Sequence, residues 1–301
     1  MHDLIIIGAG PAGITAGVYA ARQNLDFLLI SRDIGGQAAW SGEIGNYTGY
    51  QLISGPELVE KFQEHMRQYN IALKENEEVL RVLDLPKVFT VETNKSQYQA
   101  RSVIIATGKM SKGLGLAQEA KFKNHGLTYC ATCDGPLFFN KTVAVIGGGN
   151  SALDAALQLA NIAKFVYLIN NTEKLGGDAL LQQKAKRSAK ITILNNTSVI
   201  DIKGEKFVQA ITVKQPGKEE IIPVSGIFVE IGLTPNSGLM DSLKKNKSGE
   251  IEVDSHNQTN IGGIFAAGDV TDVPEKQIII AAGEGAKAAM SVFKYLTRSQ
   301  F

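Results

Sequence analysis

Cysteine is scarce in this chain, which has only two among its 301 residues. That usage excludes a secreted scaffold held together by several disulfides and indicates a reduced intracellular compartment, so we expect the protein in the cytoplasm. Stability does not require cross-links either, because 301 residues with 44% hydrophobic content can bury the cores of about two domains. Both cysteines lie in CATC, residues 130–133.

An excess of charge of either sign is also absent. Lys and Arg total 31 against 30 Asp and Glu, which gives a formal net charge of +1. No global field therefore favours nucleic acid or an anionic membrane, and we expect neither as a partner. Partners must be inferred from individual sites.

Long hydrophobic runs are almost absent as well. One uncharged run, residues 4–21, has the length of a membrane-spanning helix or a signal sequence. No basic segment precedes it, and glycines and a proline interrupt it. We therefore expect a strand, a turn and a helix there, and no membrane segment.

That run contains GAGPAG at residues 8–13, between a buried-strand pattern at Leu4–Ile7 and a helical pattern at Ile14–Arg22. This is GxGxxG in the strand–turn–helix context that a dinucleotide site requires. The alternative is a glycine-rich turn that binds nothing. In a dinucleotide site, Gly8 would allow a tight turn, Gly10 the approach of a pyrophosphate, and Gly13 close helix–strand packing.

Two further strand patterns are followed by acidic residues, and another is followed by a second glycine turn. Phe27–Ile30 is followed by Asp33, near where an acid accepts from a ribose hydroxyl, and a third strand pattern ends at Asp269, at the strand edge where α/β sheets bind ligands. The strand Thr142–Ile146 runs into GGGNSA and a helix. Two such turns predict two nucleotide folds, which bind two nucleotides or one nucleotide beside a relic. The fingerprint positions of the second turn are Gly147, Gly149 and Ala152.

Cys130 and Cys133 form a CxxC motif with three possible roles. A structural zinc site requires four ligands, and with His125 as the one histidine nearby the count stops at three, so we expect no metal. A permanent disulfide across so short a gap would constrain little unfolded-chain entropy. We therefore predict a redox pair that opens and closes.

In this order, the motifs resemble the low-molecular-weight thioredoxin reductase family, the class II pyridine nucleotide-disulfide oxidoreductases, along the whole chain. The C-terminal half, with GIFVEIGLTPN and KQIIIAAGEGAKAA, looks especially like the flavoprotein subunit of alkyl hydroperoxide reductase. The matching segments are GAGPAG at 8–13, GGQ at 35–37, ATG at 106–108, CATCDG at 130–135, GGGNSA at 147–152, GIFAAGDV at 263–270 and KQ at 276–277.

The resemblance implies an α/β fold with two Rossmann-like domains, the second inserted into the first. A discontinuous FAD domain would comprise residues 1–112 and 242–301, and a pyridine-nucleotide domain that carries the dithiol would comprise residues 113–241. Glycine-containing polar segments at 108–113 and 232–236 suit the two joints. The resemblance also implies a homodimer.

Cofactor contacts follow from the resemblance too, with FAD on the first fold and NAD(P)H on the second. The implied FAD residues are Gly8, Gly10, Pro11, Ala12, Gly13, Asp33, Gly36, Gln37, Asn46, Ala106, Thr107, Gly108, Gly268, Asp269, Lys276, Gln277 and Ile278. The implied pyridine-nucleotide residues are Gly147, Gly149, Asn150, Ser151 and Ala152.

For the dithiol, the resemblance implies that Cys133 faces the flavin and accepts electrons, while Cys130 attacks the disulfide of a partner. Exchange needs a thiolate that attacks and a sulfur that leaves with a proton, and Asp134 matches the acid–base residue of the family. Asp134 could instead be an ordinary turn or capping residue. In the same way, Asp269 could cap a helix and Gln277 could be a surface amide.

The residue that follows the strand Phe165–Ile169 does not identify the electron donor. NADPH users of the family place a basic cluster there and NADH users an acid, but this chain has Asn170. An asparagine can bond a ribose hydroxyl, yet it neither repels a phosphate nor makes a charge-assisted bond. NADH with relaxed recognition, NADPH held by displaced lysines and reduced ferredoxin all remain, and the retained GGGNSA favours a nicotinamide.

The sequence therefore predicts an FAD-dependent disulfide reductase that passes electrons from NADH or NADPH through flavin and Cys130/Cys133 to a thioredoxin-like protein. One alternative is a peroxide-detoxifying reductase whose acceptor is another small redoxin, and a second is a ferredoxin-dependent enzyme. A third is a non-enzymatic flavin sensor whose dithiol reports redox state. Catalytic reduction of a disulfide would distinguish the enzymes from the sensor.

Overall fold

The chain folds as two compact units, one inserted into the other. The structure, a computed structural model, describes residues 1–40, 43–86 and 88–298, without the side chains of Trp40, Glu43 and Cys133. The first unit comprises Met1–Met110 and the residues from Thr234 onward, and the second comprises Ser111–Leu233.

The return from the second unit comes earlier than the boundary at 241/242 that the resemblance implies. Leu239 and Met240 already belong to the first unit, because the amide of Val82 donates to the carbonyl of Leu239 at 2.8 Å and Met240 is buried in the first unit's core. The outward crossing falls at 110/111, close to the expected 112/113. The strands at the two crossings pair with each other.

Nineteen strands are found in the part of the chain that the structure describes. In chain order they are β1 (His2–Ala9), β2 (Phe27–Ile34), β3 (Glu43–Ile44), β4 (Ile53–Ser54), β5 (Leu73–Glu75), β6 (Val79–Leu85), β7 (Val88–Thr93), β8 (Gln97–Ile105), β9 (Lys109–Ser111), β10 (Leu127–Thr128), β11 (Thr142–Ile146), β12 (Phe165–Ile169), β13 (Ile191–Leu194), β14 (Ser198–Lys203), β15 (Ala210–Gln215), β16 (Lys218–Pro223), β17 (Gly226–Val229), β18 (Leu233–Pro235) and β19 (Ile264–Ala266).

The helices begin where local signals allow it: Pro11 opens the first, and Ser54 with Glu57 forms a capping box at the second. The α-helices are α1 (Pro11–Arg22), α2 (Gly55–Gln68), α3 (Glu119–Phe122), α4 (Ala131–Asp134), α5 (Asn150–Ile162), α6 (Ala179–Arg187) and α7 (Ile278–Arg298). Short 3-10 helices cover Gly36–Trp40, Gly135–Phe138 and Gly268–Val270.

The first unit is built on a sheet in the order β5-β2-β1-β8-β7-β6, with β19 also paired to β8. Strands β5, β2, β1, β8 and β19 run parallel, and β6 and β7 are antiparallel additions. Along β1, Leu4 and Ile6 pack into a core that includes Ala288 and Val292 of α7, whereas Ile5 and Ile7 pack into a core on the other face. Burial on both faces explains the uninterrupted apolar run.

The second unit repeats this plan with a parallel sheet in the order β10-β17-β11-β12-β13. Val143 and Val145 pack with α5, and Ala144 and Ile146 pack with residues of the antiparallel sheet β14-β15-β16. In both units the strand before the glycine turn lies where the strand order reverses. Such a switch point is the usual ligand position of doubly wound α/β sheets.

The described residues contain neither a membrane span nor a metal cluster. None of their helices has both the length and the apolar character that crossing a bilayer requires. No group of three or more His, Cys, Asp or Glu side chains among them is arranged to bind a metal ion.

Candidate functional site

The first glycine turn has the geometry of a nucleotide cradle. A β-carbon on Gly8 would overlap the carbonyl oxygen of Ala106, and one on Gly13 would overlap the carbonyl oxygen of Gly8. Those two glycines are therefore required by the close approach of β1, β8 and α1. Gly10 differs, because a β-carbon there would meet nothing within 4 Å. Open space in front of an extended residue at the start of α1 is what an approaching pyrophosphate needs.

Most other implied FAD residues of the first unit lie around this turn or form hydrogen bonds within the first unit. Gly36, at φ +53°, has its β-carbon position 3.5 Å from the Cα of Gly10, and that of Gly268 lies 2.9 Å from the Cβ of Ala12. Pro11 opens α1, Ile278 opens α7 and Ala106 is buried after β8. The paired side chains are Gln37 Nε2 to the Lys109 carbonyl at 2.6 Å, Asn46 Nδ2 to Gln277 Oε1 at 3.0 Å, and Thr107 Oγ1 to the Asn236 carbonyl at 2.7 Å.

Two of the implied residues stand apart from these pairs. Asp33 lies within β2 with its carboxylate half exposed, 3.7 Å from Arg32 Nε, so it is accessible to a ribose hydroxyl. Gly108 adopts φ +65° just before β9.

Asp269 and Lys276 belong to an ionic cluster that the sequence did not reveal. The Glu250 carboxylate bonds Lys109 and accepts from Asn246 Nδ2 at 2.5 Å, and Lys276 Nζ lies 3.2 Å from it. Burial would raise the pKa of Glu250, but these hydrogen bonds outweigh it and hold the pKa at about 2. Burial raises the pKa of Asp269, although Lys276 and Lys109 oppose that rise. The ionised carboxylate of Glu250 therefore holds the ammonium groups of Lys109 and Lys276 in place near the buried carboxyl of Asp269.

Replacing Glu250 with glutamine should lower the free energy of unfolding at pH 7 by about 2–4 kcal/mol, because Lys109 and Lys276 lose their counter-charge. The pKa of Glu250 is lowered, so its contribution is present above pH 4.5 and disappears as the pH falls toward 2. Urea unfolding of both proteins across pH 2–7 should show the difference shrinking in that window. Glu275→Gln, an exposed neighbour, should show no such dependence, and an equal loss at all pH values would contradict the electrostatic account.

Gly285 and Ala12 are a second feature that the sequence did not reveal. A β-carbon on Gly285 of α7 would overlap the carbonyl oxygen of Ala12, so this glycine lets α7 lie directly against α1. The residues are adjacent only after folding. No local pattern could have paired them.

In the second glycine turn, too, one glycine is required by close packing and another faces open space. A β-carbon on Gly147 would overlap the carbonyl oxygen of Glu230, whereas one on Gly149, at the start of α5, would meet nothing within 4 Å. Ala152 is fully buried and Ser151 is exposed. Asn150 is engaged within the protein, because its Oδ1 accepts from the Asp178 amide at 2.6 Å.

Asn170, at the end of β12, is not available to a ribose hydroxyl in this conformation. The residue is 3% exposed. Its Nδ2 donates to the Thr172 carbonyl and to Asn195 Oδ1, both at 3.0 Å, and its Oδ1 accepts from Thr172 Oγ1 at 2.9 Å. The amide therefore fixes the loop after β12, a role that the sequence could not distinguish from nucleotide recognition.

The dithiol turn follows β10 directly. Cys130 is half-buried and disulfide-bonded, while the side chain of Cys133 lies outside the described residues. The Cys130 amide donates to Thr128 Oγ1 at 3.2 Å, and Thr128 Oγ1 donates to the Asp134 carboxylate. Asp134 is therefore hydrogen-bonded to Thr128, the last residue of β10 before the dithiol turn. This bond chain links the acid–base candidate to the amide of Cys130.

Glu230 is a further acidic residue at this turn; it lies within GIFVEIGLTPN, but nothing local in the sequence assigns it a role. It follows β17, an interior strand of the five-stranded sheet, and its carboxylate accepts from the amide of Ala131. Burial raises its pKa to about 7, although that hydrogen bond lowers it. A carboxyl that gains and loses its proton near neutral pH therefore lies next to the peptide that joins Cys130 to α4.

Comparison with known proteins gives a consistent result. Residues 2–285 match the family model described as pyridine nucleotide-disulphide oxidoreductase. The chain is 38% identical to an NADH dehydrogenase of Ferdinandcohnia aciditolerans and 39% identical to an alkyl hydroperoxide reductase subunit of Staphylococcus aureus, in each case over 99% of this chain. The matches cover 58% and 60% of those relatives, so the chain spans about three fifths of their length.

Solved structures extend the comparison to the fold. A thioredoxin reductase of Lactococcus lactis superposes with a TM-score of 0.80 and 35% identity, over 99% of this chain and 100% of that one. A ferredoxin-flavin thioredoxin reductase of Clostridium acetobutylicum gives a TM-score of 0.54 and 30% identity, over 98% of each chain. The resemblance predicted from the motifs is confirmed, as is the α/β class with two Rossmann-like domains.

Proposed function

The chain belongs to the pyridine nucleotide-disulphide oxidoreductase family, and on that premise we propose a flavin-dependent disulfide reductase that passes electrons from NADH, through FAD and the Cys130/Cys133 pair, to a thioredoxin-like protein. Family membership makes it an oxidoreductase flavoenzyme and implies FAD and a pyridine nucleotide as cofactors. The donor and the acceptor are the proposed parts.

The observation that carries the proposal is a disulfide at Cys130 beside two groups that can move protons. Asp134 is bonded through Thr128, and Glu230 through the Ala131 amide. A disulfide that spans two residues adds little stability, so its use is chemical. Reversible exchange requires proton donors and acceptors near the sulfurs, and we propose the carboxyls of Asp134 and Glu230 for that role.

The first unit fits FAD. The open space at Gly10 would receive the pyrophosphate at the N-terminus of α1, and the exposed carboxylate of Asp33 would accept from a ribose hydroxyl. Bound FAD would supply the two-electron chemistry that no side chain provides. The cluster of Lys109, Glu250 and Lys276 would fix positive charge at the same end of the sheet as Asp269.

A protein acceptor suits the surface that follows the dithiol. Leu137 is 69% exposed and Phe139 is 75% exposed, within a few residues of Cys133 in the chain. We propose that these two exposed apolar side chains form part of the surface on which a protein acceptor packs. We propose a thioredoxin-like acceptor because the similar solved structures are named thioredoxin reductases. We propose a homodimer from the family resemblance, and a cytoplasmic location from the scarcity of cysteine.

NADH is the proposed donor because of the name of one relative and the chemistry of the second turn. That relative is named NADH dehydrogenase, and Gly149 leaves open space for a nucleotide phosphate. The loop after β12 offers Asn170, Asn171 and Thr172, without a basic cluster that would favour a 2′-phosphate. The relatives named as alkyl hydroperoxide reductase subunits support a second acceptor, a small redoxin that serves peroxide removal.

Reduced ferredoxin is the second candidate donor, and Asn170 is the observation that favours it. Its amide is saturated by Thr172 and Asn195, so the residue where an NADH user has an acid makes no bond available to ribose. A structure 30% identical to this chain is named a ferredoxin-flavin thioredoxin reductase. In that case the second glycine turn would be a relic.

An anaerobic titration tests the donor. We expect NADH to bleach the flavin of the purified protein, and NADPH to do so only at higher concentration. The Cys130→Ser/Cys133→Ser double variant should bleach with about half as much donor, because the disulfide no longer takes up an electron pair. If both nicotinamides fail while reduced ferredoxin bleaches the flavin, the NADH proposal is wrong.

A further inference from the structure

The hydroxyl of Thr128 joins two residues of the dithiol turn. It donates to the Asp134 carboxylate, and the same oxygen accepts from the Cys130 amide at 3.2 Å. The Asp134 amide in turn donates to the Cys130 carbonyl, also at 3.2 Å. A hydroxyl can take both places at once because it is a donor and an acceptor. Three hydrogen bonds therefore close a ring through Thr128, Cys130 and Asp134.

Thr128 is the rigid member of this ring, because the sheet of the second unit holds it. It is 6% exposed and lies opposite the fully buried Phe228 in the parallel pair β10 and β17. A β-branched side chain has few χ1 rotamers, and a change of rotamer here would break both hydrogen bonds of the hydroxyl. Asp134 is only half-buried and lies at the end of the short helix α4. The sheet thus fixes the hydroxyl, and the hydroxyl fixes the carboxylate.

The Asp134 carboxylate does not serve the helix that follows it. Asp134 occupies the N-cap position of the 3-10 helix Gly135–Phe138, yet its side chain makes no capping hydrogen bond to the described residues of that helix. An N-cap aspartate normally accepts from an amide of the next turn. Here the carboxylate is directed back to Thr128 instead. Ordinary capping, the alternative that the sequence leaves open for Asp134, does not account for this orientation.

The same orientation keeps the carboxylate close to Cys130. Two successive hydrogen bonds separate a carboxylate oxygen of Asp134 from the Cys130 amide, a path of at most about 6 Å. Cys130 and Asp134 are also four residues apart across a helical hydrogen bond, the spacing at which two side chains share one face. Without the hydroxyl of Thr128, the half-buried carboxylate would be free to rotate toward solvent.

We propose that Thr128 is a positioning residue of the dithiol reaction, which holds the Asp134 carboxyl near Cys130 for proton transfer. This inference rests on the proposed function. In the exchange step, the Asp134 carboxylate takes the proton of the Cys130 thiol, and the thiolate attacks a sulfur of the partner's disulfide. A mixed disulfide forms, and the partner's other sulfur leaves as a thiolate with the electron pair of the broken bond. Thr128 exchanges neither proton nor electron in this step.

Two substitutions of Thr128 separate the hydroxyl from the shape of the side chain. The assay mixes pre-reduced protein with an oxidised thioredoxin and follows a single turnover, so it does not depend on the electron donor. Thr128→Val keeps the shape without the hydroxyl and should lower the rate at saturating thioredoxin about tenfold, with the half-saturating concentration within about twofold of wild type. Thr128→Ser keeps the hydroxyl and should stay within about threefold of the wild-type rate.

Thr212→Val is the matched control for the loss of a threonine hydroxyl. Thr212 lies on β15 of the same unit, and its Oγ1 forms no hydrogen bond with any residue that the structure describes. This variant should exchange at the wild-type rate. A packing role for Thr128 would leave Thr128→Val active and slow Thr128→Ser, and that order overturns the proposal.

Substitution of Asp134 shows whether Thr128 acts through it. Asp134→Asn should lower the single-turnover rate about 10²-fold. In that background Thr128→Val should cause at most about a twofold further loss, because no carboxylate remains to be positioned. A further tenfold loss, or an Asp134→Asn protein as fast as wild type, contradicts the inference. A wild-type protein that reduces no protein disulfide contradicts the proposed function, whereas an active wild type matched by Thr128→Val contradicts this inference alone.

Discussion

Replacing Cys130 with serine should lower the reduction of a protein disulfide by at least about 10³-fold, while the purified protein stays yellow and its donor still bleaches the flavin. A serine oxygen can neither form the disulfide nor attack that of a partner. The residues that would hold FAD belong to the first unit, and Cys130 belongs to the second, so flavin binding should be unaffected. The measurement is steady-state reduction of a thioredoxin, paired with the anaerobic flavin spectrum.

Single-cysteine variants then assign the two sulfurs. Cys133→Ser should form a stable mixed disulfide with a thioredoxin-like partner through Cys130, and Cys130→Ser should form little. Ser198→Ala, an exposed serine on β14 of the second unit, is a matched control that should retain full turnover of the protein disulfide. A trap that forms only in Cys130→Ser would reverse the roles, and full turnover without Cys130 would end the dithiol proposal.

The glycine turns could be predicted from the sequence because their constraints are local. Gly8, Gly10 and Gly13 act within one strand–turn–helix unit, and the structure places them as the spacing requires. The apolar runs at β1 and β11 were equally predictable, because strands buried on both faces need no alternation.

Residues that depend on distant segments could not be predicted. Glu250 acquires its role from Lys109 and Lys276, which a strand and a turn elsewhere in the chain supply. From the sequence, Asn170 cannot be told apart from an asparagine that binds a nucleotide. Its hydrogen bond to Asn195, which is visible only in the folded structure, shows that its amide is already engaged within the protein. Glu230 is one letter in GIFVEIG, and its contact with the Ala131 backbone, in a distant segment of the chain, is visible only in the folded structure.

The largest effect on the cofactor is expected from Gly10→Ala. The added methyl meets no protein atom within 4 Å, and the backbone of Gly10 is already extended, so the free energy of unfolding should change by no more than about 1 kcal/mol. The methyl would instead occupy the space that a pyrophosphate needs, and we expect at least about tenfold weaker FAD binding. Flavin absorbance of the purified protein and a titration with added FAD measure the loss.

Two matched substitutions separate this effect from a general disturbance of the fold. Gly13→Ala would drive a methyl into the carbonyl of Gly8, so it should destabilise the protein by at least about 3 kcal/mol whether or not FAD is present. Gly149→Ala makes the equivalent change to Gly10→Ala in the second turn, again facing open space. It should keep its FAD and its stability, and lose only reduction by a nicotinamide. A Gly10→Ala protein that is as yellow as the wild type would show that the pyrophosphate does not lie at this turn.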